Sequence, residues 1–137
     1  MNCLKILKIL TGLWFQNCKI MNTVALYIKD FQKGTIISDR LIAMDLSVEF
    51  IDKHNLFSNN YLLGIIDLDD EEFGRKEFIN DLKSNVKFFI IGYMGKVIKD
   101  AHDSYKSSGC DLILSKASLF KNIDSLVTEI LNQKDKT

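Results

Sequence analysis

Acids and a lysine stand where apolar runs of this chain meet their first charges. Val24 to Ile28 leads into Lys29-Asp30, Tyr61 to Ile66 into Asp67, and Leu112 to Leu114 into Ser115-Lys116. Asp67 also opens an Asp-x-Asp pair with Asp69. Carboxylates gathered beside a cation can hold a divalent metal or meet a phosphoryl group, since both chemistries rest on offsetting concentrated charge. Whether these residues are gathered depends on the elements between them.

The apolar runs have strand length, and helical stripes separate them. After Val24–Ile28, Lys33-Gly34 reads as a break, and Ile37, Leu41 and Met44 recur at helical spacing to about Asp45. Val48 to Ile51 reads as a second strand, although Leu41, Met44, Val48 and Ile51 also fit one longer helix. Tyr61–Ile66 is the third strand. The acids Asp69 to Glu72 suit the start of a helix whose buried side is Phe78, Ile79 and Leu82. Val86–Ile91 is the fourth strand, apolar almost throughout as in a sheet covered on both faces. Val97, Ile98, Ala101 and Tyr105 mark the next helix, which Gly109 ends. Leu112–Leu114 is the fifth strand. Phe120, Ile123, Val127, Ile130 and Leu131 mark the last helix, with Ser118 as its N-cap.

Alternating strands and helices imply a parallel sheet with right-handed crossovers, whose ligand sites lie at the carboxyl ends of the strands. Asp30, Asp67 and Lys116 all fall there. Lys53 to Asn60 is short for a parallel crossover, which usually takes about a dozen residues or more. Either the second crossover helix is reduced to a turn, or the second strand lies elsewhere than Val48–Ile51.

With 137 residues and a 47% hydrophobic fraction, the chain suits one domain with a real core. Lys+Arg and Asp+Glu both total 18, so no global field draws in nucleic acid or an anionic membrane. Cys3, Cys18 and Cys110 lack disulfide or zinc spacing and read as reduced thiols of a cytoplasmic protein. Residues 1–20 read first as an upstream extension with Met21 as the working start, and second as an amphipathic segment that docks on the domain or a partner. Membrane attachment ranks third, because Lys5, Lys8 and Lys19 are its main support. The domain is expected over 21–133, with a frayed tail at 134–137.

The run Gly109-Cys110-Asp111-Leu112-Ile113-Leu114-Ser115-Lys116 resembles the Gly-Ala-Asp-x-Tyr-Leu-x-Lys segment of the receiver domains of two-component signalling. Leu62 to Asp67 resembles their third strand, and Ala25 to Asp30 their first. The resemblance spans about Met21 to Asn132. It implies an α/β fold, a three-layer doubly wound, flavodoxin-like five-stranded parallel sheet of order 2-1-3-4-5. It also implies that Asp67 matches the phospho-acceptor, Asp30 (with Asp67) the magnesium-holding acids, and Lys116 the phosphoryl-pairing lysine. Lys29 and Asp69 complete the expected pocket.

The departures from that pattern are chemical. Lys29 replaces the first acid, which removes an anionic neighbour of magnesium, an ion that demands an octahedral oxygen shell. Lys29 or Lys116 is expected to pair with Asp67 instead. Gly92 stands at the switch hydroxyl and Ile113 at the switch aromatic. The implied protein is a degenerate receiver without catalytic residues, with weak or no magnesium, acting on a protein partner such as a histidine kinase or another regulator. The resemblance puts the partner face on the family's fourth helix, fifth strand and fifth helix, here about Lys96 to Leu131, and the same face is the one expected for a homodimer. The alternative is an active response regulator modified on Asp67. A metal-dependent phosphoesterase using Asp67 and Asp69 is more distant, because Asp70-Glu71 follows where a haloacid-dehalogenase motif has Gly-Thr. A topoisomerase-primase reading fails at Lys29-Asp30, where its glutamate is missing. His54 and His102 lack partner spacing, and Tyr105 reads as core or interface edge.

Overall fold

The computed structural model describes residues 22–135, so the expectations for residues 1–20 lie outside the described residues. Strands β1 (Thr23–Tyr27), β2 (Ser47–Phe50), β3 (Leu63–Asp67), β4 (Phe89–Met94) and β5 (Leu112–Ser115) alternate with helices α1 (Phe31–Ile42), α2 (Lys76–Asn85), α3 (Lys99–Ser108) and α4 (Lys116–Asp135). The sheet has five strands in the order β2-β1-β3-β4-β5, and every neighbouring pair is parallel. This is the doubly wound fold that the sequence implies.

Alternation along the strands builds two cores. Val24, Leu26, Leu63, Ile65, Ile91 and Tyr93 pack with Ile37 and Leu41 of α1 and with Leu119, Ile123 and Val127 of α4. Ala25, Tyr27, Ile66, Ile90 and Ile113 pack with Phe78, Ile79 and Leu82 of α2. Central β3 is buried along its whole length, which explains its uninterrupted apolar run. The short link from β2 to β3 carries turns and no helix. Leu56 covers part of the core that a helix would have covered, and Phe57 stacks on Phe78 with ring centroids 6.3 Å apart.

Several boundaries differ from the sequence pattern, each for a local reason. Lys33-Gly34 is not a break but part of the first turn of α1, because Asp30 caps that helix at the amides of Gln32 and Lys33. Glycine leaves room there for the Phe50 ring, whose Cε2 would lie 2.5 Å from a Cβ on Gly34 and would have to shift. Leu41, Met44, Val48 and Ile51 do not share one helix: α1 stops at Ile42, and Asp45 turns the chain with φ 64. The fourth strand starts at Phe89 rather than Val86, because the Val86 N–H still closes α2 onto the Leu82 carbonyl. The acids after β3 do not open a helix. They form turns through Gly74, and α2 begins at Lys76. The last helix follows β5 directly at Lys116, and the Ser115 hydroxyl, rather than Ser118, receives a first-turn amide, that of Ser118 at 3.1 Å. Gly109 does close α3, with φ 138. Cys110 is buried, and that burial pushes its thiol up to about 12, which fits an inert packing residue.

Candidate functional site

The carboxyl ends of the strands meet the first turn of α1. Asp67 is the last residue of β3, and its backbone pairs in register with Tyr93 of β4. Its carboxylate is almost completely buried, with the residue only 3% exposed. A buried carboxylate is costly unless it is paired and hydrogen-bonded. Here Oδ2 lies 3.4 Å from Lys33 Nζ, and Oδ1 accepts the Asp69 N–H at 3.0 Å. The Asp30 cap, three residues after β1 ends, starts α1 and places Lys33 in the first turn of a helix that opens beside the strand ends.

The remaining cations turn elsewhere. Lys29 does not pair with Asp67: its ammonium lies 2.8 Å from Glu72 Oε1 and over the Phe73 ring, 5.5 Å from the centroid. The loop acids attract it away from the strand ends. Lys116 lies over the Phe120 ring at 5.9 Å, and among the described residues it makes no ion pair. A lysine one turn before an aromatic on the same helix can rest on that ring, at the expense of the pocket.

The acids are committed as well. Asp30 Oδ1 receives the amides of Gln32 and Lys33 at 3.0 and 3.2 Å. Asp69 Oδ2 accepts the Gly95 N–H at 2.8 Å, tying the loop after β3 to the loop after β4. Asp70 Oδ2 accepts the amides of Glu72 and Phe73, both at 2.9 Å. Asp69 and Asp70 are therefore turn-closing acids and not helix-start charges. A magnesium octahedron needs oxygens that converge and are free of competing cations. Asp30 and Asp67, with the Lys33 ammonium on the latter, do not fit that requirement.

The two switch positions also resolve. Gly92 pairs with Ile66, one residue before Asp67, and so faces the opposite side of the sheet. A Cβ there would meet Leu68 Cδ1 at 2.8 Å and Cys110 Sγ at 3.1 Å. The hydroxyl-bearing residue beside Asp67 is Tyr93. Its phenol is buried, and burial first, then the charges of Asp67, Asp30 and Asp69, raise its pKa. Ile113, on edge strand β5, is buried in the same core as Phe78, Ile79 and Leu82. Tyr105, on α3, donates its hydroxyl to the Gly74 carbonyl at 2.7 Å, a second tie between α3 and the loop after β3.

Sequence reasoning missed Lys33 and Tyr93. Lys33 was hidden by reading Lys33-Gly34 as a break, although Asp30 three residues earlier is a strong N-cap type. Tyr93 was hidden by ending the fourth strand at Ile91. Placing that strand to Met94 brings Tyr93 opposite Asp67.

No family model matches the sequence, and no curated protein matches it. Solved structures do. A two-component response regulator from Clostridium difficile is 14% identical, with a TM-score of 0.74 over 82% of this chain and 98% of that one. A response regulator from Hahella chejuensis is 17% identical, with a TM-score of 0.68 over 80% and 95%. A CheY-like receiver domain protein from Methanospirillum hungatei is 12% identical, with a TM-score of 0.64 over 82% and 98%. The chain has the receiver fold of signal-transduction response regulators. Among the described residues no helix is long and apolar enough to cross a membrane.

The Lys33–Asp67 contact should be energetically coupled. Lys33→Met is expected to cost about 1–3 kcal/mol, the range for stranding a buried charge after allowing for the partial exposure of Lys33. Adding Asp67→Asn should recover most of that loss. Urea unfolding of the two single variants and the double variant measures the coupling; strictly additive losses would show that the contact carries no stability.

Proposed function

We propose that this chain is a stand-alone degenerate receiver: a signalling module that works through a protein partner without phosphorylation of Asp67. The observation that supports this most is the Lys33 ammonium 3.4 Å from Asp67 Oδ2, where a receiver of the resembled family places a metal ion and the incoming phosphoryl group. An ammonium has donors but no coordination sites, so it neutralises the acid without recruiting magnesium. The cation is Lys33 and not Lys29 or Lys116, but the electrostatic logic is the same. A phosphoesterase role finds no support in the acids, since Asp69 is bound to the Gly95 amide and Asp30 to the start of α1.

The partner surface follows the receiver resemblance: α3, β5 and α4, from about Lys96 to Leu131. Val97 and Ile98 are exposed there, Ile98 by 58%, with Lys96 and Lys99 on either side in sequence, and Lys106 and Lys121 are exposed further along α3 and on α4. An apolar centre with a charged rim suits a protein surface better than nucleic acid, and the zero net charge agrees. A histidine kinase, another regulatory protein or a second copy of the chain are the partner classes, in the cytoplasm.

Two measurements test this reading. In magnesium titration and intact-mass analysis with acetyl phosphate, the wild type is expected to show neither metal binding nor a phosphoryl adduct. Lys29→Asp alone should remain inert, and Lys29→Asp with Lys33→Ala should gain magnesium binding. A wild-type adduct on Asp67 would instead establish an active response regulator. Charge reversal at Lys99, Lys106 and Lys121 should abolish capture of the physiological partner; unchanged capture would put the interface elsewhere.

A further inference from the structure

Two phenol oxygens, Tyr27 Oη and Tyr93 Oη, are buried without a hydrogen-bond partner among the described residues. Buried hydroxyls are rarely left so, and each instance calls for a cause. Tyr27 sits among rings, edge-on to Phe73 at 5.8 Å and tilted to Phe78 at 6.0 Å. The surroundings of Tyr93 are different. It stands beside Asp67 in the β3–β4 register and therefore on the same face of the sheet. Tyr93 is fully buried, and Asp67 is the buried acid of the described residues. Burial first, then the fields of Asp67, Asp30 and Asp69, and last the nearness of the Asp67 carboxylate as an acceptor hold the phenol protonated, although the two groups do not meet in full hydrogen-bond geometry.

We propose that the Tyr93 hydroxyl donates to the Asp67 carboxylate, directly or through one water, and is the positioning residue that completes a Lys33–Asp67–Tyr93 cluster. This rests on the reading of Asp67 as a closed, unphosphorylated site and supplies its third donor. A carboxylate offers about four lone-pair sites. Lys33 takes one on Oδ2, the Asp69 amide takes one on Oδ1, and the phenol approaches from the β4 side. The proton stays on the phenol, since ionising Tyr93 would place a second anion against Asp67.

The test is side-chain NMR on the full chain. The wild type should show a slowly exchanging tyrosine hydroxyl proton that disappears in Tyr93→Phe and remains in Tyr27→Phe. In Asp67→Ala that proton should shift upfield and exchange at least about tenfold faster. The Asp67 carboxyl carbon should move in Tyr93→Phe and stay in place in Tyr27→Phe, a readout that survives if Asp67→Ala does not fold. An Asp67 carbon indifferent to Tyr93→Phe, or a Tyr93 hydroxyl indifferent to Asp67→Ala, would overturn the proposal. Its failure is separable from that of the wider reading: a phosphoryl adduct on the wild type contradicts the closed site, whereas an absent Tyr93 bond in an inert wild type contradicts only the role of Tyr93.

Discussion

A negative charge buried at the end of the central strand is the constraint on which the rest of the site depends. Asp67 ends β3, a strand covered on both faces, and its carboxylate is nearly inaccessible to water. Charge in that position must be neutralised by something. In a receiver that takes up phosphate, a metal ion and mobile donors share the task. Here Lys33 supplies the cation from within the chain, and the Asp69 amide supplies a second donor. An internal cation differs from a metal in one decisive respect: it is always present. On the reading proposed above, a site neutralised in advance has little left to gain from a ligand, since a ligand shifts an equilibrium only by its differential affinity for the two states.

The first turn of α1 carries much of this arrangement. Asp30 starts the helix, Lys33 reaches Asp67, and Gly34 leaves room for the Phe50 ring of edge strand β2. The loop after β3 is bound from the other side. Asp69 holds the Gly95 amide, and Tyr105 holds the Gly74 carbonyl. Both ties reach the segment that leads into α3 or lies on it. The acid loop and the proposed partner face are thus mechanically joined by ordinary hydrogen bonds, with no covalent modification needed to hold them in register.

Much of this architecture was legible from hydrophobic pattern. The run Tyr61 to Ile66 read as a strand, Gly109 marked the end of α3, and the short Lys53–Asn60 link pointed to a crossover helix shrunk to a turn or a misplaced second strand, of which the first is found. The positions of Asp67, Asp30 and Lys116 at strand ends were also readable, because strand order and polarity follow from the alternation. What could not be read was where the long side chains go. Lys29, Lys33 and Lys116 are of one type, and each had a choice of partners. Glu72 with Phe73 drew off the first, and the Phe120 ring drew off the last. Register errors hid the remainder. In a strand, a shift of one residue moves a side chain to the other face, so ending the fourth strand at Ile91 and placing the switch hydroxyl at Gly92 concealed Tyr93.

The most direct measurement is a crystal structure of the wild type grown with magnesium and beryllofluoride. The account predicts that Lys33 Nζ remains against Asp67 Oδ2, near the 3.4 Å separation found here, with Lys29 on Glu72 and no metal at the strand ends. An octahedral ion bound by Asp30 and Asp67, with beryllofluoride on Asp67 and Lys33 displaced, would contradict it.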